Sequence, residues 1–146
     1  AATNRPNSEF IMSITIYHNA DCGTSRNVLE IIRQSGVEPD VVQYLQRGWT
    51  QELLAGLLAA AGLTPREALR TSKSPAEELG LTDPAVDDSI LFEAMLKHPI
   101  LVNRPIVVTK KGTALCRPSE KVFDLLDNPP ASFTKEDGET IQSGQV

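Results

Sequence analysis

Cysteine is scarce in this chain: two in 146 residues, with only two histidines beside them. Cys22 and Cys116 lie far apart, and so do His18 and His98. That spacing offers no structural zinc site. It also offers no disulfide framework of the kind small secreted domains use. No basic start followed by an apolar stretch is visible, so the expected compartment is the cytoplasm, where the two thiols stay separate. No apolar run approaches the roughly 18–20 residues of a membrane-spanning helix, so no membrane partner is expected. Basic residues are outnumbered, 14 against 19 acidic, for a net charge of −5. With a pI near 5.0 and no Lys/Arg cluster, general nucleic-acid binding is not expected. What is present is ordinary globular material, 40% hydrophobic and 23% charged. A chain this long buries about 68–70% of its unfolded surface, enough for one core.

Residues 1–11 are polar, aperiodic and unlike the rest, and read as an expression remnant ahead of a start at Met12. From there the expected domain runs over 12–128, followed by a C-terminal tail over 129–146 that is loosely ordered from Thr134. The β-branched and aromatic run Ile14–Tyr17 predicts a strand. His18–Ser25 is rich in turn and cap residues. Val28, Leu29, Ile31 and Ile32 recur at largely helical spacing, and Gly36 stops that helix. Val41–Tyr44 reads as a second strand, so the start forms a β-α-β unit.

The middle, about 50–100, predicts a helical insertion. Thr50 caps a helix that Gly62 ends, and Thr64-Pro65 opens a short one. Asp87 and Asp88 precede a third helix, where they face its dipole rather than form a catalytic pair. Pro99 ends it, and His98 is read as a helix-end residue. Ile106–Thr109 and Ala114–Arg117 then flank Lys110–Thr113 as a hairpin. Pro118-Ser119 opens a final helix carrying Val122, Phe123, Leu125 and Leu126. The order β-α-β, helices, β-β-α implies an α/β fold: a thioredoxin-like mixed four-stranded sheet with a helical insertion.

Cys22 carries the chemistry. It falls between a strand and a helix that begins with Gly23, Thr24 and Ser25, where a thiolate meets unpaired N–H groups. At a free pKa near 8.5, about 3% of a thiol is ionised at neutral pH. Lowering that value by two units needs about 2.7 kcal/mol. A helix dipole supplies about 0.3–1 kcal/mol, at most about 2. Donors from Thr24 or Ser25, and cations such as His18 or an arginine, have to add the rest. The alternative is a buried structural cysteine. Ser25 occupies the position where a Cys-x-x-Cys motif has its second thiol, so an outside thiol must finish any redox cycle. Cys116, on a strand, reads as a packed core thiol. His18 either tunes Cys22 or is a satisfied loop residue. Arg70, Arg104 and Arg117 stand at element boundaries; guanidinium groups suit oxyanions, but spacing alone does not bring them together.

The segment His18–Asn27 resembles the active-site segment of the glutathione/glutaredoxin-linked arsenate reductases. So do His98–Val108, Leu115–Glu120 and Phe133–Gly138, in the same order. The resemblance implies the thioredoxin-like fold, with Cys22 as the nucleophile toward arsenate and Arg70, Arg104 and Arg117 as its oxyanion ligands. It implies that His18 helps hold the thiolate, that Gly23, Thr24, Ser25 and Pro105 support the site, and that Arg104–Pro105 is cis. It implies glutathione as co-substrate, glutaredoxin as protein partner, and no bound cofactor or metal. Ala20 departs from the family's usual proline, and Asp21 adds a negative charge that opposes the thiolate. Two other readings stay open: an Spx-type transcription regulator that binds RNA polymerase, and a general glutathione-dependent thiol oxidoreductase.

Overall fold

The computed structural model describes residues 13–144. The expected leader and the start at Met12 lie outside the described residues. The chain divides into two compact units, one built from the segments ending at Val42 and starting at Arg104, the other from Gln43–Asn103.

The first unit carries the sheet. Strand β1 (Thr15–His18) leads through a loop into helix α1 (Gly23–Gln34), and β2 (Asp40–Gln43) follows. The sheet order is β2-β1-β3-β4, with β3 at Ile106–Thr109 and β4 at Gly112–Leu115. Pairs β1/β3 and β3/β4 are antiparallel. This is the mixed four-stranded sheet that the sequence implies. Helix α1 buries Val28, Leu29, Ile31 and Ile32, the predicted stripe, into a core shared with Ile14, Ile16 and Val107. Cys116 belongs to that core, and Cys22 does not.

The helix expected after Pro118 is present over Ser119–Leu125 as a 3-10 helix. Its apolar residues recur at spacing three, as Val122/Leu125 and Phe123/Leu126, the period at which 3-10 side chains stack. Two expectations are corrected here. The β3/β4 turn is tighter than predicted, because Thr109 pairs with Gly112 and only Lys110 and Lys111 lie between them. The tail is not loose: β5 (Ser132–Thr134) and β6 (Thr140–Gln142) form an antiparallel hairpin. Phe133 and Ile141 face each other across it and are buried in the core.

The second unit is helical. It holds α2 (Tyr44–Arg47), α3 (Gln51–Ala61), α4 (Pro65–Ala68) and α5 (Asp88–Lys97). Its caps follow from the sequence. Thr50 accepts the Leu53 N–H at 3.1 Å. Thr64 and Glu67 form a reciprocal capping box. Asp87 accepts the Ser89 hydroxyl at 2.7 Å and the Ile90 N–H at 3.1 Å, and the two bonds hold its carboxyl below the usual range. Gly62 ends α3 in the left-handed region at φ 70°, where residues with a Cβ are strained. No helix among the described residues is long and apolar enough to cross a membrane.

Candidate active site

The loop from β1 to α1 is built by short-range bonds. Cys22 is the N-cap residue of α1, with extended backbone (φ −104°, ψ 122°). Its N–H donates to the Asn19 carbonyl, and its own carbonyl accepts the Arg26 N–H, both at 3.0 Å. The Asn19 side chain accepts the Asp21 N–H at 2.9 Å. Ser25, three residues into the cap, is fully buried. Its Oγ accepts the Asn19 N–H at 3.1 Å and lies 2.7 Å from His18 Nδ1.

His18 therefore reaches Ser25, and no contact runs from it to the sulfur among those described. Burial pushes its pKa down, and Arg33 and Arg26 lower it further. It is a neutral imidazole at neutral pH, so it does not serve as the cation that the thiolate requires. Its link to Cys22 runs through Ser25.

The cations come from the hairpin. Continuing the β3/β4 register past Ile106 and Leu115 sets Pro105 opposite Cys116, whose N–H donates to the Pro105 carbonyl at 2.9 Å. One step further sets Arg104 opposite Arg117. Both arginines precede cis prolines, Arg104–Pro105 as expected and Arg117–Pro118 in addition. Arg117 Nη1 donates to the Arg104 carbonyl at 3.1 Å and to the Cys22 sulfur at 3.6 Å. Burial pushes the Cys22 thiol up. The Ser25 N–H, Arg104 and Arg117 together outweigh it, and the thiol ends below its ordinary value. Cys22 makes no side-chain capping bond, yet the Ser25 N–H faces its sulfur and favours the thiolate. Asp21 does not reverse the outcome.

Of the other expected site residues, Gly23 and Thr24 open α1. Arg70 belongs to the second unit, where it is buried and its Nε donates to the Ser72 carbonyl at 2.9 Å. His98 ends α5, the helix-end role expected of it. Cys116 is fully buried, and burial pushes its thiol up to about 12. No group of three or more His, Cys, Asp or Glu among the described residues is arranged to hold a metal.

Residues 17–125 match the family model of the ArsC family. The chain belongs to the ArsC family. Among relatives, an arsenate reductase of Synechocystis sp. is 60% identical over 129 residues, covering 88% of this chain and 92% of its own length. An arsenate reductase of Escherichia coli is 55% identical over 130 residues, covering 88% and 92%. The solved arsenate reductase from Vibrio cholerae matches with a TM-score of 0.73 at 38% identity, over 79% of this chain and 98% of that one. The ArsC-family fold here is thioredoxin-like.

In this ArsC-family site, three contributors escape a reading by residue type. Asn19 ties the loop through backbone and side chain. Arg26 and Glu136 form a forked ion pair at 2.9 Å on both arms. Their signal was present only as membership of the motifs His18–Asn27 and Phe133–Gly138, which carries no geometry.

Proposed function

We propose that this chain is a cytoplasmic enzyme that reduces arsenate to arsenite, with glutathione as co-substrate and glutaredoxin as thiol partner. The observation that carries the reading is the Arg117 guanidinium 3.6 Å from the Cys22 sulfur, at the N-terminus of α1. A nucleophile beside permanent, forked cations is what attack on an oxyanion requires.

Arsenate binds to Arg104, Arg117 and the first-turn N–H groups of α1. The resemblance assigns Arg70 to the same anion. The Cys22 thiolate forms an S–As bond and one arsenate oxygen leaves as water. A glutathione thiol adds to arsenic and a second water leaves. The glutaredoxin thiolate attacks the glutathione sulfur. The S–As bond to glutathione breaks and its electron pair stays on arsenic, which becomes As(III). The oxidised product is the glutaredoxin–glutathione mixed disulfide. One water then displaces arsenite and returns the Cys22 thiolate. The net reaction consumes two thiols and releases one water. Ser25 leaves no local thiol to compete with glutathione, and no bound cofactor or metal takes part.

The test is arsenite formation by the full chain with glutathione and glutaredoxin. Cys22→Ser is expected to abolish it with the fold intact. Appreciable arsenite from that variant would falsify the assignment. If wild-type turnover were indifferent to replacement of Arg104, Arg117 and Arg70 by alanine, a general thiol oxidoreductase would replace this reading.

A further inference from the structure

Two neighbouring side chains of the C-terminal hairpin reach two different parts of the site. Glu136 accepts Arg26 Nε and Nη2, each at 2.9 Å. Its backbone N–H donates to Oδ1 of buried Asn27 at 3.1 Å. Arg26 directs its remaining Nη1 to the Ala20 carbonyl at 2.7 Å, two residues before Cys22. Glu136 thus grips the first turn of α1 and, through Arg26, the loop ahead of it. Lys135, with its side chain 13% exposed, pairs instead with Glu120 at 3.1 Å and with Glu139 at 3.0 Å. Glu120 lies in the 3-10 segment that follows Arg117. The base of the hairpin is fixed, because Phe133 and Ile141 are buried in the core. The turn is closed by the Lys135 N–H on the Glu139 carbonyl at 2.7 Å.

We infer that Lys135 and Glu136 form a clamp that holds the Cys22-bearing turn and the Arg117-bearing segment at a set separation, so that the sulfur stays against the guanidinium. Both are positioning residues. The inference rests on Cys22 being the working nucleophile of the proposed reaction, but its test reads the sulfur itself and needs no arsenate.

The sign of the effect separates positioning from charge. A Cβ placed on Gly23 would lie 3.7 Å from Glu136 Oε1, so the carboxylate stands close to the Cys22 turn. Removing that anion acts electrostatically to favour the thiolate. Loosening the Cys22–Arg117 contact disfavours it. The experiment is iodoacetamide alkylation of the full-length protein against pH, followed at the Cys22 peptide by mass spectrometry. Glu136→Ala is expected to move the midpoint upward and slow alkylation at neutral pH about threefold, the scale of coupling that a partly exposed ion pair carries. Lys135→Ala moves it the same way, and Lys135→Arg restores it. Lys110→Ala, which breaks the comparably exposed Lys110–Asp127 pair at the β3/β4 turn, leaves the midpoint in place. A lower or unmoved midpoint in Glu136→Ala, or an equal shift in Lys110→Ala, overturns the clamp. Upward shifts in a protein inactive toward arsenate support the clamp and overturn the proposed reaction.

Discussion

The Ser25 hydroxyl lies 2.7 Å from His18 Nδ1, and the same oxygen accepts the Asn19 N–H. One buried oxygen thereby joins the end of β1, the loop, and the residue whose own N–H favours the Cys22 thiolate. Ser25→Ala leaves two buried polar groups without this partner. An unmet buried group costs about 1–3 kcal/mol, so a stability loss of about 2 kcal/mol is expected in urea unfolding. The alkylation midpoint of Cys22 should rise in the same variant. Unchanged stability together with an unchanged midpoint would show that the oxygen organises nothing.

His18 makes stability depend on pH in a defined direction. Burial holds its folded pKa below the unfolded value of about 6.5, with Arg33 and Arg26 adding to the shift. Between those two values the unfolded chain holds a proton that the folded chain does not, so stability rises with pH across the window. Its contribution is full above about 6.5 and fades as pH falls through the folded value, with a slope of at most about 1.4 kcal/mol per pH unit. The unfolding free energy should decline as the pH falls below about 6.5, and His18→Gln should flatten that decline. An NMR midpoint for the His18 ring at or above the free value would contradict this.

Arg117 serves the sulfur and the Arg104 carbonyl with one nitrogen. A lysine ammonium is a point charge on a flexible stem and lacks the planar fork. Arg117→Lys keeps the charge and loses that geometry. A charge-assisted hydrogen bond is worth about 1.5–3 kcal/mol, so kcat/KM for arsenate should fall about 10- to 100-fold. The thiol midpoint should also rise. Steady-state kinetics at varied arsenate check the first, and alkylation against pH the second.

Phe133 tests the hairpin as part of the fold. It is buried in the same core as α1 and β1. Phe133→Ala should cost about 3–5 kcal/mol, a large share of the roughly 5–15 kcal/mol of a typical domain. Urea unfolding measures it; a loss below about 1 kcal/mol would mean that the hairpin is peripheral to the core.

The elements that announce themselves by local chemistry were legible in the sequence. Thr50 caps where its side chain predicts, and helices start after Thr64 and Asp87 as read, because such signals depend only on the next few residues. The α1 stripe and Cys22 at its start were legible for the same reason. The β5/β6 hairpin was not. Its strands are three residues each, and one buried residue per strand leaves no alternation to detect. The meeting of Arg104 and Arg117 depends on hairpin register. Reading the turn as Lys110–Thr113 shifts the pairing by two residues and sets Arg104 out of line with Arg117, whereas the observed two-residue turn aligns them. The charge of His18 was not legible, because it is decided by burial, which no local pattern reports.

The contrast between the two sulfurs turns the molecule into its own folding gauge. Cys22 stands at a helix start beside a guanidinium, whereas Cys116 is sealed in the core with its thiol at about 12. A thiol reagent added to the native protein at neutral pH counts one sulfur. The second enters the count only when the sheet comes apart, so the rate at which it appears reports how often the core opens.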